Sequence, residues 1–410
     1  MEQRRQDESP QGPSGARIRV LRVISRMNVG GPARCVLNLT AGLPHRKFHT
    51  IVATGRSGAG EGDLSRGIED RGAELADIPH LGRPLRPLRD LHALLALRSL
   101  ILKFRPHILH THASKAGFLG RLAALWSGIP LKIVHTYHGH VLDSYFSPLQ
   151  SSVFRELERR LAGSTDVLIA VTPSVRRELL ARHGVGCLQQ YVVIPSGGHR
   201  SRIPSGSGSG PGLREELGLG RLPLAAVIGR LVPIKGHDLL LRSLPRLLAQ
   251  IPELKILLVG DGPGRVAIER FIARRPEGRA LLLLGQRDDV GRVLRAVDLL
   301  VLPSLKEGLP TVMLEAAAAG VPIAASRLPG VTDVLTHGDA ALLFDPGSPD
   351  ELAQAVVTLC RAPELGRRLA ARALQCAADI PTAQQVVGAH ERLYENLYRQ
   401  LNAQNPKRGG

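Results

Sequence analysis

Two glutamates, Glu307 and Glu315, lie in the stretch VLPSLKEGLPTVMLEAAAAGVP that runs from Val301 to Pro322. Leu299 to Leu302 is an apolar run of strand length, stopped by Pro303. Ser304 to Gly308 reads as a loop. The pattern then predicts a helix with Pro310 as its first residue and Gly320 and Pro322 as its close. A helix start after a glycine-containing loop offers unpaired N–H groups and partial positive charge, which suits a phosphate. Glu307 precedes that start, and Glu315 lies about 7–8 Å further along the axis than Pro310. A diphosphate at Leu309–Thr311 could therefore have a sugar near Glu307 and a ribose near Glu315, each carboxylate accepting from a pair of hydroxyls. The alternative is a surface glutamate and a helix-face glutamate around an ordinary turn.

Other residue groups bear on the same chemistry. Leu224–Ile228 reads as a strand that exits at Gly229, Arg230 and Leu231, and Lys235–Gly236 open the next helix. Arg230 supplies a planar fork and Lys235 a point charge, either a pair suited to a diphosphate, each contact worth about 1.5–3 kcal/mol, or a surface arginine and lysine at an ordinary turn. The strand Leu254–Val259 ends in a turn with Gly260 and Gly262. Near the N-terminus, Gly30 and Gly31 separate the strand Ile18–Ile24 from a helix over Ala33–Gly42. This is either a place where a phosphate can approach bare backbone or a plain tight turn. The spaced glycines of a dinucleotide fingerprint are absent, so NAD is not expected. His110, His112, His135, His138 and His140 cluster near two strand ends, but no carboxylate–histidine spacing suggests a metal cage. No metal and no cofactor are expected.

The elements that must position these groups alternate. Strands are expected at Thr50–Thr54, Ala73–Ile78, His107–His110, Leu131–Thr136, Asp166–Val171 and Gln190–Ile194, with helices between them. That alternation points to an α/β chain with parallel sheets and helices on both faces. In such sheets, ligands bind at the carboxyl ends of strands. A Pro-, Ser- and Gly-rich stretch within residues 196–221 marks a linker. It separates a domain of residues 17–195 from one of residues 222–385. A C-terminal helix over 386–401 follows, and residues 1–16 and 402–410 are expected to be disordered tails.

Composition bounds the function. Lys plus Arg is 54 against 36 Asp plus Glu, a net charge of +18, which favours anionic partners. Aromatic residues are only 3%, too few for a base-stacking surface, so nucleic acid is not expected. The four cysteines show no metal-ligand spacing and make no disulfide scaffold, which fits a reducing cytoplasm. No apolar run reaches the roughly 18 residues that a spanning helix needs.

Glu307, Gly308, Leu309, Pro310, Glu315 and the alanine-rich helix to Gly320 resemble the signature of retaining glycosyltransferases of family 4, the glycosyl transferases group 1. Gly229-Arg230 followed by Lys235-Gly236, and His138-Gly139 at a strand end, are similar to further motifs of that family. The chain departs from it at Ser196–Gly197, where an asparagine–glycine pair is usual. The resemblance covers Ile18 to about Leu401 and implies the GT-B architecture, two Rossmann-like domains facing across a cleft, with the last helix packed back on the first domain. It implies transfer of a sugar from a nucleotide diphosphate, UDP in the first instance, to an acceptor hydroxyl with retention. It gives His138 a contact with the donor sugar or acceptor zone, Arg230 and Lys235 the diphosphate, Glu307 the sugar and Glu315 the ribose. It also implies that the turn with Gly260 and Gly262 could pass close to the nucleotide base. A nucleotide-sugar epimerase and a non-catalytic nucleotide-sugar binding protein remain alternatives. The stretch Leu81–Arg105, with Arg83, Arg86 and Arg89 before an apolar helix, is either a core helix with a solvated approach or a peripheral contact with an anionic membrane carrying a lipid-linked acceptor.

Overall fold

The computed structural model describes residues 17–58, 62–82, 86–139, 148–196 and 212–404. Thirteen strands form two wholly parallel sheets among these residues. The first sheet contains β1 (Ile18–Arg26), β2 (Phe48–Gly55), β3 (Glu74–Asp77), β4 (Ile108–His112), β5 (Lys132–Tyr137), β6 (Val167–Ala170) and β7 (Tyr191–Val193), in the order β3-β2-β1-β4-β5-β6-β7. The second contains β8 (Leu224–Ile228), β9 (Lys255–Val259), β10 (Leu281–Gly285), β11 (Leu299–Leu302), β12 (Ile323–Ser326) and β13 (Leu342–Phe344), in the order β10-β9-β8-β11-β12-β13. In each sheet the order reverses beside the first strand, between β1 and β4 and between β8 and β11. Such a reversal opens a crevice at the strand carboxyl ends.

Strand alternation explains the layers. In β1, Leu21 and Val23 face a core shared with Leu97 and Ile101 of the helix Pro87–Phe104 and Leu119 and Ala123 of the helix Ser114–Ser127. Val20, on the opposite face, joins Leu39 of the helix Gly31–Gly42 and Val386, Tyr394 and Leu397 of the last helix, Ala383–Gln404. The last helix therefore covers the first sheet, and Lys47 reaches Glu391 and Glu395 on it at 2.9 and 3.0 Å. In the second sheet, Ala225, Val227 and Val301 pack on Leu240, Leu244 and Val356, while Ala226, Leu300 and Leu302 pack on Met313, Leu314 and Ala317. The latter cluster also takes in Tyr137, Leu168 and Val175 of the first half. Asp333 ties the halves together, accepting from the Ser174 N–H at 2.9 Å and the Ser174 hydroxyl at 2.7 Å.

Most strand ends move by one or two residues, Lys235 and Gly236 precede the helix His237–Gln250 rather than open it, and four further boundaries differ from the sequence expectation. Pro310 is the N-cap (φ −71°, ψ 108°), not the first helical residue, and the helix is Thr311–Ala318. Proline fixes φ but leaves ψ free, so it suits a cap as well as a first turn. The expected linker of residues 196–221 is folded over its last ten positions, 212–221. Leu213 and Leu219 are buried there, and Arg214 bridges to Asp298 at 2.8 Å. The expected start of the last helix, residue 386, falls inside Ala383–Gln404, and that helix also takes in 402–404 of the expected tail. Finally, the helix expected near Val331–Thr336 is the shorter Pro329–Thr332. Residues 1–16, 197–211 and 405–410, for which the sequence predicts tails and a linker, lie outside the described residues.

Candidate active site

The strand ends deliver the chemical groups. After β8, Gly229 and Arg230 lead into a single turn, Pro233–Lys235, that carries Lys235. Gly236 follows at φ 69°, a conformation that favours glycine, and a Cβ there would fall 1.8 Å from the Pro303 carbonyl oxygen. The turn after β8 thus lies directly on the exit of β11, and the Leu305 N–H donates to the Ile234 carbonyl at 2.8 Å. That contact brings Lys235 to Glu307: Nζ lies 2.5 Å from Oε1. The Ser304 hydroxyl donates to the same oxygen at 2.7 Å. The side chains of Lys235 and Glu307 are 25% and 12% exposed, so the pair lines an open edge rather than the deep core. Leu309 and Pro310 are buried beneath it, and Thr311 opens the helix. Glu315, 2% exposed, sits on the inner side of that helix.

Gly260 and Gly262 end β9 beside this turn. The Leu231 N–H donates to the Asp261 carbonyl at 2.9 Å, and the Asp261 carboxylate accepts from the Gly262 N–H at 2.7 Å. The first half meets the second at Gly308. A Cβ on Gly308 would lie 2.0 Å from the His138 carbonyl oxygen and 3.0 Å from the Gly139 nitrogen. The loop that carries Glu307 therefore abuts the carboxyl end of β5. Past the carboxyl end of β1, Gly30 caps the helix Gly31–Gly42 in an extended conformation, and a Cβ on Gly31 would meet nothing within 4 Å. Packing does not demand a glycine at 31.

His138 Nε2 lies 3.1 Å from His112 Nδ1. Behind them, His110 joins Tyr394 at 2.5 Å and Thr136 at 2.7 Å, and His390 donates its Nδ1–H to the Val386 carbonyl at 2.8 Å. Burial pushes His138 down to about 4, helped by nearby His390, and burial likewise lowers His110, His112 and His135 well below the ordinary imidazole range. These rings are neutral at pH 7. Among the described residues, no group of three or more His, Cys, Asp or Glu side chains could hold a metal ion. His140, Asp143 and Ser144 lie outside the described residues.

The structure thus brings together Lys235, Glu307, Gly308, His138 and Gly139. Sequence reasoning missed Ser304, and it named His112 only within the histidine cluster, without a contact to His138. Ser304 stands three residues before Glu307 on one loop, close enough to have been considered. His112 follows from register: it pairs with Thr136, two residues before His138.

Two family matches cover this chain: "Glycosyl transferase 4-like domain" over residues 30–197 and "Glycosyl transferases group 1" over 223–362. A UDP-Gal:alpha-D-GlcNAc-diphosphoundecaprenol alpha-1,3-galactosyltransferase of Escherichia coli is 30% identical over 284 residues, 68% of this chain and 73% of that protein. An N-acetyl-alpha-D-glucosaminyl L-malate synthase of Bacillus anthracis is 27% identical, covering 71% of this chain and 75% of its own length. The crystal structure of Anabaena HepE in complex with UDP and glucose superposes with a TM-score of 0.78 at 20% identity, over 92% of this chain and all of that one, which shows the GT-B fold. With two Rossmann-type sheets meeting at Gly308 and matches in both halves, the chain belongs to the glycosyl transferases of group 1.

Proposed function

We propose that this glycosyltransferase moves a hexose from a UDP-linked donor to an acceptor hydroxyl with retention of configuration. The observation that carries this is the Lys235–Glu307 pair at the exits of β8 and β11. An ammonium has three donors, so one bond to Glu307 leaves two for diphosphate oxygens. Glu307 in turn keeps an oxygen for sugar hydroxyls. As the anomeric C–O bond breaks, negative charge grows on the leaving diphosphate and positive charge on the sugar. Lys235 is already held by Glu307, and with Arg230 and the helix start at Thr311 it meets the negative charge as it develops, so little reorganisation is needed. Glu315 takes the ribose. Gly30 and Gly31 let bare backbone approach the phosphates, and the leaving phosphate accepts the acceptor's proton during front-face attack. His138 and Gly139 border the sugar from the first half, and Gly229, Gly260 and Gly262 line the nucleotide side. The reaction needs no metal, since side-chain cations and the helix start take that role.

The acceptor is lipid-linked, and the enzyme works in the cytoplasm against an anionic membrane surface. On the helix Pro87–Phe104, Leu88, Leu91 and Leu95 are 77%, 49% and 43% exposed, at the spacing of one helical face. Arg86 and Arg89 are exposed beside them, and Trp126 on the neighbouring helix is half exposed. Apolar residues flanked by cations suit an anionic interface. Arg83 lies outside the described residues. Among the described residues, no helix is long and apolar enough to cross a membrane.

Arg230→Ala and Glu307→Ala, with unchanged circular dichroism, are expected to remove most transfer, and the wild-type product is expected to keep the donor's anomeric configuration. Near-normal turnover in both variants, or an inverted product, overturns the reading. For the membrane surface, co-sedimentation with phosphatidylglycerol vesicles is expected to fall when Leu88 and Leu91 become glutamate; unchanged binding rejects it.

A further inference from the structure

The His112–His138 contact has a direction. Each neutral imidazole carries one proton, so in a bond between Nδ1 of one ring and Nε2 of the other, one ring donates and the other accepts. His112 is wholly buried, and its Nε2 has no hydrogen-bond partner. If the His112 proton sat on Nε2, a buried N–H would be orphaned, the rarer and costlier arrangement. Placed on Nδ1, the same proton makes the bond to His138. Neighbouring rings hold His112 in place: His110 lies 4.1 Å away and His138 5.4 Å away, centroid to centroid, tilted by 33° and 27°. His110 cannot relieve the unpaired nitrogen, because both of its own nitrogens are engaged by Tyr394 and Thr136.

We propose that His112 is a positioning residue that donates its Nδ1–H to His138 Nε2. His138 then carries its own proton on Nδ1 and offers an N–H, not a lone pair, to the sugar side of the crevice. The proposal rests on His138 bordering the donor sugar, as argued above. It adds that the proton order of this ring is fixed from inside the sheet, by a residue that touches no substrate. A hydroxyl oxygen of the donor sugar would accept from that Nδ1–H. A ring free to exchange tautomers would spend part of its time presenting a lone pair, with the hydroxyl reoriented to match.

The test separates tautomer from turnover. In the full-length protein with ¹⁵N-labelled histidine, the ring signals of His138, assigned by their loss in His138→Gln, are expected to show protonated Nδ1 and bare Nε2 without any donor present. In His112→Leu this signature is expected to collapse to the averaged or Nε2–H pattern. In the same variant kcat is expected to fall at least tenfold while KM for UDP-sugar changes less than threefold. His112→Asn places an amide N–H near the position of Nδ1 and is expected to restore both the signature and most of kcat. His112→Gln, whose amide reaches the Nε2 position, is expected not to. A wild-type His138 with its proton on Nε2, or an unchanged signature in a folded His112→Leu, overturns the proposal, as does equal loss in the Asn and Leu variants. If no UDP-sugar is turned over at all, the proposed function fails while the spectra still decide the tautomer.

Discussion

Replacing Gly308 by alanine should uncouple catalysis from stability. The added Cβ would stand 2.0 Å from the His138 carbonyl oxygen and 2.7 Å from its carbon, both main-chain atoms of the opposite half. An ordinary contact needs about 3.5 Å, so the two backbones must part by roughly 1.5 Å. On the other side the Gly308 carbonyl lies against Gly330, where a Cβ would fall 1.7 Å away, so the loop cannot simply retreat in that direction. The displacement is therefore expected to carry Glu307 away from His138. A shift of about 1 Å in a positioning group can cost about 10²-fold in rate. We expect kcat to fall about a hundredfold in steady-state transfer of radiolabelled sugar. The clusters around Val227 and around Leu21 each lie within one half and stay intact, while the cluster shared by the halves shifts, so the fall in melting temperature should be small beside the loss of rate. Gly31→Ala is the matched control: its Cβ meets nothing within 4 Å, so stability should not change. Any lost activity there reports approach of substrate to the backbone. Normal kcat in Gly308→Ala would refute the idea that contact between β5 and the Glu307 loop sets the geometry of the site.

Lys235→Met and Glu307→Gln should each reduce kcat/KM by about 10²-fold or more, and the double variant should lose less than the product of the two; strict additivity would show that the 2.5 Å contact does not couple them. Arg121→Met should destabilise the protein by about 3–5 kcal/mol in urea melts, since it leaves Glu158 buried without the guanidinium that meets it at 2.7 Å. A loss under about 1 kcal/mol would refute that. Acid should weaken the fold between pH 6.5 and 4. His138, His237 and His390 sit at about 4 when folded, so the unfolded chain takes up protons first as pH falls, each group contributing up to about 1.4 kcal/mol per pH unit. Urea midpoints that rise from pH 6.5 to 5 would contradict this sign. EDTA should leave transfer unchanged, and a loss restored by Mg²⁺ or Mn²⁺ would overturn the metal-free reading.

What could be read from the sequence was local. The apolar run Leu299–Leu302, the proline stops and the alanines at 316–319 each encode period and breakage within a few residues, and β11 and its helix follow from them. The same local logic misplaced Pro310 by one position, because a fixed φ does not decide ψ. It also read residues 212–221 as linker: the glycine and serine density before them outweighed Leu213 and Leu219, whose burial depends on a core assembled from distant strands. The partner of Lys235 lies 72 residues away, and no local pattern encodes it. What encodes it is the pair of neighbouring strands β8 and β11, together with a glycine, Gly236, small enough to let their exits touch.

The glycines at the strand ends therefore divide into two kinds that sequence alone treats alike. Gly236, Gly308 and Gly330 are required because main chain presses on main chain, while Gly31 borders open space. The first kind fixes the distance between the halves and between loops. The second leaves room beside a helix start, where packing sets no demand for a missing side chain and a bound ligand is the reason the proposed function supplies. Substituting one glycine of each kind separates the scaffold's demand from the substrate's.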